Sequence, residues 1–245
     1  MISIVCLKWG DKYGPQYVNR LYSQCRKFIG TDFTFYCATD NSDGISPFVQ
    51  LLDMADYQIP NGKWGGKVFT AEKLKLISDK RFFGTKVVLM DLDILILNDL
   101  TDYLTTVEPT KPLWIFNHWQ DLQRTRRDYG QITCAINASF VVTYPENAIT
   151  LHDSVFNENY DYFAMKFKSL DKTLYYRCMD LIDFHEDPFL VYAYNRGVKF
   201  PEDMVEYEYR PEFKLCLFNN SHGSGMDLHE TTDWAKEYWE SFDEC

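Results

Sequence analysis

The chain has 245 residues, 46% hydrophobic and 17% aromatic, enough to bury the core of one α/β domain spanning 1–245. Its formal net charge of −11 excludes nucleic acid as the main partner, because neutralising a phosphate backbone needs a basic face. No stretch approaches the ~20 apolar residues of a membrane span, so no transmembrane segment is expected.

Ile2–Leu7 is a short apolar run that predicts a buried strand, without the basic-then-apolar pattern of a signal peptide. Glycines and Pro15 make Lys8–Pro15 a loop. Tyr17, Val18, Leu21, Tyr22, Cys25, Phe28 and Ile29 then recur at helical spacing up to a stop at Gly30. Phe33–Ala38 is the next strand and Thr39–Gly44 its turn-rich exit. This order is a βαβ unit and implies a parallel sheet. Pro60–Lys67 reads as a glycine-rich loop with Trp64, and Val68–Ser78 as a helix.

The strand Val87–Met90 runs into Asp91-Leu92-Asp93 and out into Ile94–Leu97. Carboxylates set so deep in apolar sequence are costly unless paired or bound to a cation. In an extended chain, residues two apart share a side, so Asp91 and Asp93 can converge on one ion. Asp99–Leu104 is expected as a turn or short helix. Leu113–Phe116 and Ala138–Thr143 read as strands, and His118–Gln131, with Arg124, Arg126 and Arg127, as a polar loop. A helix is expected from Pro145 to about Phe156. Tyr160–Asp183 is aromatic without a clear period. Asp187 and Pro188 have the chemistry of a helix start, predicting a helix over Phe189–Tyr194. Leu215–Phe218 is a strand, Asn219–Asp227 a loop, and Trp234–Phe242 a closing helix. Seven cysteines without Cys-x-x-Cys spacing argue against a zinc site and for reduced thiols in a cytoplasmic protein.

In open parallel sheets ligands collect at the carboxyl ends of strands. The loops after Leu7 and Ala38 and the Asp-x-Asp should therefore meet on one edge. Together these residues resemble the GT-A glycosyltransferases, in particular the glycogenin and lipopolysaccharide-galactosyltransferase group with related bacterial and phage proteins. The likeness runs from Ile4 to about Gly223. It rests on Val5-Cys6-Leu7 with Asp11-Lys12-Tyr13, on Glu72-Lys73-Leu74 or Trp64-Gly65-Gly66-Lys67, on Asp91-Leu92-Asp93, on Asn137-Ala138-Ser139, on Glu186-Asp187, and on Ser221-His222-Gly223. Serine stands where the group has glycine after Asn-Ala or Asn-Ser. Proline follows Asp187 where the group has glutamine, and no Lys-Pro-Trp follows Gly223.

The resemblance implies a single GT-A domain with a mostly parallel sheet flanked by helices, and transfer of a sugar from a UDP-sugar to a glycan or other hydroxyl acceptor. Tyr13 would stack on uracil, Leu7 and Trp9 would line the base pocket, and Asp40 would approach the nucleotide. Lys67 or Lys73 would hold phosphate. Asn137 and Ser139 would touch the donor sugar. Asp91, Asp93 and His222 would hold Mn²⁺ or Mg²⁺, oxygen-loving cations that stabilise a departing diphosphate. Asp187 or Glu186 would act at the anomeric carbon, as general base if the enzyme inverts and as a stabilising group if it retains. Retention is expected. Two other readings compete. One is a binding protein of the same fold without turnover, suggested by Ser139 and Pro188. The other is a phosphatase of the haloacid-dehalogenase type, which shares Asp-x-Asp but wants threonine or valine where this chain has Leu95.

Overall fold

The structure, a computed structural model, describes residues 1–58, 71–116, 134–194, 211–218 and 234–243, together with the backbone of 63–64, 67–68, 198–199 and 205–206. The first unit is β1 (Ile2–Lys8), α1 (Pro15–Phe28), β2 (Phe33–Thr39) and β3 (Gln50–Asp53). Pro15 starts α1 with φ already helical, and Arg26 and Lys27 sit in its last turn where the helix dipole favours cations. The short β3, packed beyond β2, has no alternating signature, and sequence reading missed it.

The segment read as a glycine-rich loop holds a small antiparallel pair, β4 (Lys63–Trp64) and β5 (Lys67–Val68). After it come α2 (Glu72–Ile77), β6 (Lys86–Met90), β7 (Ile94–Ile96) and α3 (Thr101–Thr106). Then follow β8 (Leu113–Phe116), β9 (Ile136–Thr143), α4 (Pro145–Val155), α5 (Tyr160–Phe167), α6 (Leu170–Arg177), β10 (Asp183–Phe184) and β11 (Val191–Ala193). The chain ends with the pair β12 (Val198–Lys199) and β13 (Val205–Glu206), then β14 (Leu215–Leu217) and α7 (Trp234–Glu240).

Two expectations are corrected. Phe189–Tyr194 is a turn leading into β11, because Val191–Ala193 pairs with β14 and the ladder outweighs the helix-start signal. Asp187 Oδ1 still accepts a hydrogen bond from Phe189 N–H at 2.9 Å, so the capping chemistry survives as a turn. Conversely, the aromatic stretch after Tyr160 forms two helices. Their apolar stripe is hidden because rings occupy exposed positions as well.

Among the described residues the main sheet has seven strands in the order β10-β8-β9-β6-β1-β2-β3. All neighbouring pairs are parallel except those of β9, which runs against both β6 and β8. The carboxyl ends of β1, β2, β6 and β8 therefore share one edge with the start of β9. One face of the sheet packs on α1, α7 and a small sheet of β11, β14 and β7; the other packs on α2, α4, α5 and α6. Alternation along β1 and β6 divides their side chains between these cores: Ile4, Cys6, Val88 and Met90 face one way, Val5, Leu7, Val87 and Leu89 the other. In β9 the parity switches between Ala138 and Phe140, where its register against β8 is broken. All six described cysteines are buried free thiols. No helix is long and apolar enough to cross a membrane among the described residues.

Candidate functional site

The Asp-x-Asp lies in the turn between β6 and β7 rather than inside a strand. Leu92 is buried in the core under α1, and that anchors the turn. The two aspartates flank it, each half-buried. Burial and then the charge of Asp91 raise the acid of Asp93 to about 6.

Three neighbours restrain the pair. Lys73, buried on α2, places Nζ 2.5 Å from Asp91 Oδ1 and donates to the Ala138 carbonyl at 3.1 Å. Tyr13 donates its hydroxyl to Asp93 Oδ2 at 3.0 Å. Lys12 Nζ lies 2.7 Å from that same hydroxyl oxygen. Tyr13 is thus tied edgewise to the second aspartate, its ring packed 4.7 Å from Tyr17 at a tilt of 57°.

The irregularity in β9 is what supplies the carbonyl. Asn137 Oδ1 accepts from Ser139 N–H at 2.9 Å, a local turn within the strand. Ser139 O then accepts from Asp91 N–H at 2.8 Å, while Ala138 O faces Lys73. The segment 137–139 is in this way fastened to the backbone of Asp91 and to the Lys73 ammonium.

On the neighbouring strand ends, Gly10 takes φ +62° and donates its N–H to Asp40 Oδ2 at 2.9 Å, joining the loops after β1 and β2. Leu7 is buried and Trp9 half-buried on the α2 side of the sheet. Sequence reading missed two further groups: Lys12, and Asp171 in the first turn of α6. Burial raises the Asp171 acid to about 6, with the Lys73 charge opposing and the Asp91 charge adding to the rise. A helix start aimed at a lysine–aspartate pair is visible only once α6 is known to pack across β9.

Glu186 and Asp187 follow β10, whose carboxyl end lies on the same edge as that of its parallel neighbour β8, and run into the turn that Asp187 closes on Phe189. There both carboxylates raise the Tyr103 phenol, after burial. His185, hydrogen-bonded to the Tyr103 hydroxyl, is held neutral by burial, its value lowered to about 3. Lys67 lies in β5 with its side chain outside the described residues, as are Arg124, Arg126, Arg127 and His222. Among the described residues no third histidine, cysteine or carboxylate joins Asp91 and Asp93 in metal-binding geometry.

Sequence comparison with known proteins is silent: no family model matches the chain, and no curated protein sequence does. Comparison with solved structures is not. A galactosyltransferase, LgtC, solved with donor and acceptor sugar analogues, superposes with a TM-score of 0.52 at 14% identity, covering 98% of this chain and 94% of its own. The fold is that of GT-A glycosyltransferases. The bifunctional glycosyltransferase WbbM superposes at 0.62 with 12% identity over 99% of this chain, which spans 50% of WbbM. Mouse xyloside xylosyltransferase 1 superposes at 0.54 with 11% identity, covering 89% of this chain and 98% of the mouse protein. The GT-A domain meets the expectation of a mostly parallel sheet flanked by helices, with β9 as the strand that runs against its neighbours.

Proposed function

We propose that this protein is a metal-dependent glycosyltransferase that moves a sugar from a UDP-sugar to a hydroxyl of its acceptor. The observation that carries the reading is the Asp91–Lys73–Asp93 arrangement at the carboxyl edge of the sheet, on a fold shared with glycosyltransferases. Asp91 and Asp93 offer hard oxygen donors. The raised acid of Asp93 marks negative charge that burial leaves poorly compensated, and this suits a divalent cation. His222 would complete that set. Bound Mn²⁺ or Mg²⁺ would offset the charge that grows on the diphosphate as the glycosidic bond breaks.

The protein's own groups divide the remaining work. Lys73, already among anionic partners, is placed to hold a phosphate oxygen, and Lys67 is a second candidate from β5. Leu7, Trp9, Tyr13 and the Gly10–Asp40 link would form the nucleoside wall. Asn137 and Ser139 border the same space, where the donor sugar would lie. Asp187 and Glu186, which follow β10 at the carboxyl edge, are the carboxylates we assign to the sugar, with Asp171 of α6 as a third. The stereochemistry follows the group the sequence resembles, which retains, and a carboxylate of this set then steadies charge developing at the anomeric carbon.

Isothermal titration with UDP and Mn²⁺ tests the site. Asp93→Asn is expected to weaken binding by at least about tenfold. Equal affinity in the two proteins rules the site out.

A further inference from the structure

The hairpin of α5 and α6 carries a row of rings that the donor site does not use. Phe163 and Phe167 lie 6.0 Å apart at 6°, and Phe167 and Tyr176 lie 5.4 Å apart at 4°. Tyr162 meets Phe163 edge-on at 5.0 Å, and Tyr175 meets Tyr176 edge-on at 5.0 Å. The two ends of the row face solvent, Tyr162 56% exposed and Tyr176 43%, while Phe167 between them is buried and fixes their spacing. Cations border the row. The Arg177 guanidinium stands 3.6 Å from the Phe163 centroid, and Lys166 Nζ stands 5.7 Å and 5.5 Å from those of Tyr162 and Phe167. Residues 160–177 hold Lys166, Lys168, Lys172 and Arg177 against Asp161 and Asp171, in a chain whose net charge is −11.

α6 joins this row to the chemistry. It packs on β9, the strand whose Ala138 and Ser139 carbonyls meet Lys73 and Asp91, and Tyr176 lies five residues, about 7–8 Å, along its axis from Asp171.

We propose that this ridge receives the acceptor, and that the acceptor is a carbohydrate chain bearing carboxylate or phosphate groups. The inference rests on the transferase reading above and names its acceptor class. Flat, prepacked rings offer the C–H faces of sugars a large contact at little entropic cost. Lysine and arginine beside them pair with acidic substituents. An acidic protein repels such a chain over most of its surface, so a cationic ridge decides where the chain lands.

Calorimetric titration of the full chain at low salt decides the matter, with three probes of matched length. These are an oligogalacturonate, a glycerol-phosphate oligomer and a neutral malto-oligosaccharide. One acidic probe is expected to bind saturably and at least about tenfold more tightly than the neutral one; its identity separates carboxylate from phosphate acceptors. Tyr176→Ala and Lys166→Glu are each expected to weaken that binding by about fivefold or more with UDP affinity unchanged, and Lys166→Glu, a surface change, with melting temperature unchanged as well. Equal binding of the neutral probe, no binding of either acidic probe, or indifference to both variants overturns the proposal. UDP binding without ridge binding overturns the ridge alone. Ridge binding with no UDP binding in the presence of Mn²⁺ overturns the donor site instead.

Discussion

Lys73 and Asp91 form a pair whose side chains are 9% and 27% exposed, and each depends on the other. Removing one partner of such a pair leaves a charge with little water to replace it. Lys73→Met is expected to cost about 3 kcal/mol, read as a shift in the urea midpoint, besides weakening UDP binding. Glu72, its neighbour, tells a different story. Glu72 is buried, its Oε2 has no hydrogen-bond partner among the described residues, and burial raises its acid to about 7. The folded protein therefore holds this proton more tightly than the unfolded chain does. Between the ordinary carboxyl value and pH 7 the unfolded state ionises first, so stability falls as pH rises through that window. Glu72→Gln should abolish this loss and stabilise the protein by up to about 3 kcal/mol at pH 8, with no gain at pH 4. Thermal melts of both proteins across that range check the sign. Asp91 and Asp93 were legible from sequence because acidic residues inside apolar runs demand an explanation, whereas Lys73 was left open against Lys67. Asp171 was not legible, since a carboxylate in a first helical turn is ordinary until its neighbours are known.

β7 is an edge made safe by side chains. Gln24, fully buried on α1, accepts from Ile96 N–H at 2.7 Å, and Tyr238 donates to Ile96 O at 2.6 Å. Both backbone groups of Ile96 that turn away from β14 are thereby satisfied. Gln24→Leu is expected to destabilise by about 1–3 kcal/mol, because a buried N–H loses its acceptor. β7, which directly follows Asp93, should loosen with it, visible as faster amide exchange over Ile94–Ile96. Sequence reading found the strands of the main sheet wherever they were continuous apolar runs. It failed at β3, too exposed to show a pattern, and at β11, where a helix-start signal at Asp187-Pro188 conflicted with a strand fixed by β14. Pairing partners distant in sequence are the missing information in both cases.

At the scale of the molecule, occupancy of the proposed donor site at the carboxyl edge is expected to stabilise the fold by mass action. UDP with Mn²⁺ at about one hundred times the dissociation constant adds about 2.7 kcal/mol. For a chain of this length that raises the melting temperature by about 5–10 °C. UDP alone, without a divalent cation, should give a much smaller shift, and scanning fluorimetry with and without chelator reads the difference. Fold class was legible early because alternating strands and helices admit few topologies. The antiparallel course of β9 was not, since direction within a sheet leaves no mark on composition.

That strand also sets a schedule. Lys73 is anchored on Ala138, 65 residues further along the chain, and Asp91 on Ser139. A growing polypeptide that has completed β1, β2, β6 and β7 already contains both aspartates and the lysine, yet lacks the carbonyls that meet Asp91 and Lys73. On the proposed reading, nucleotide recognition is expected to emerge late, after most of the parallel sheet has formed, so that a partial chain would be spared from seizing a nucleotide. In refolding experiments, UDP-dependent signal should trail the recovery of secondary structure and appear with the slowest long-range pairing.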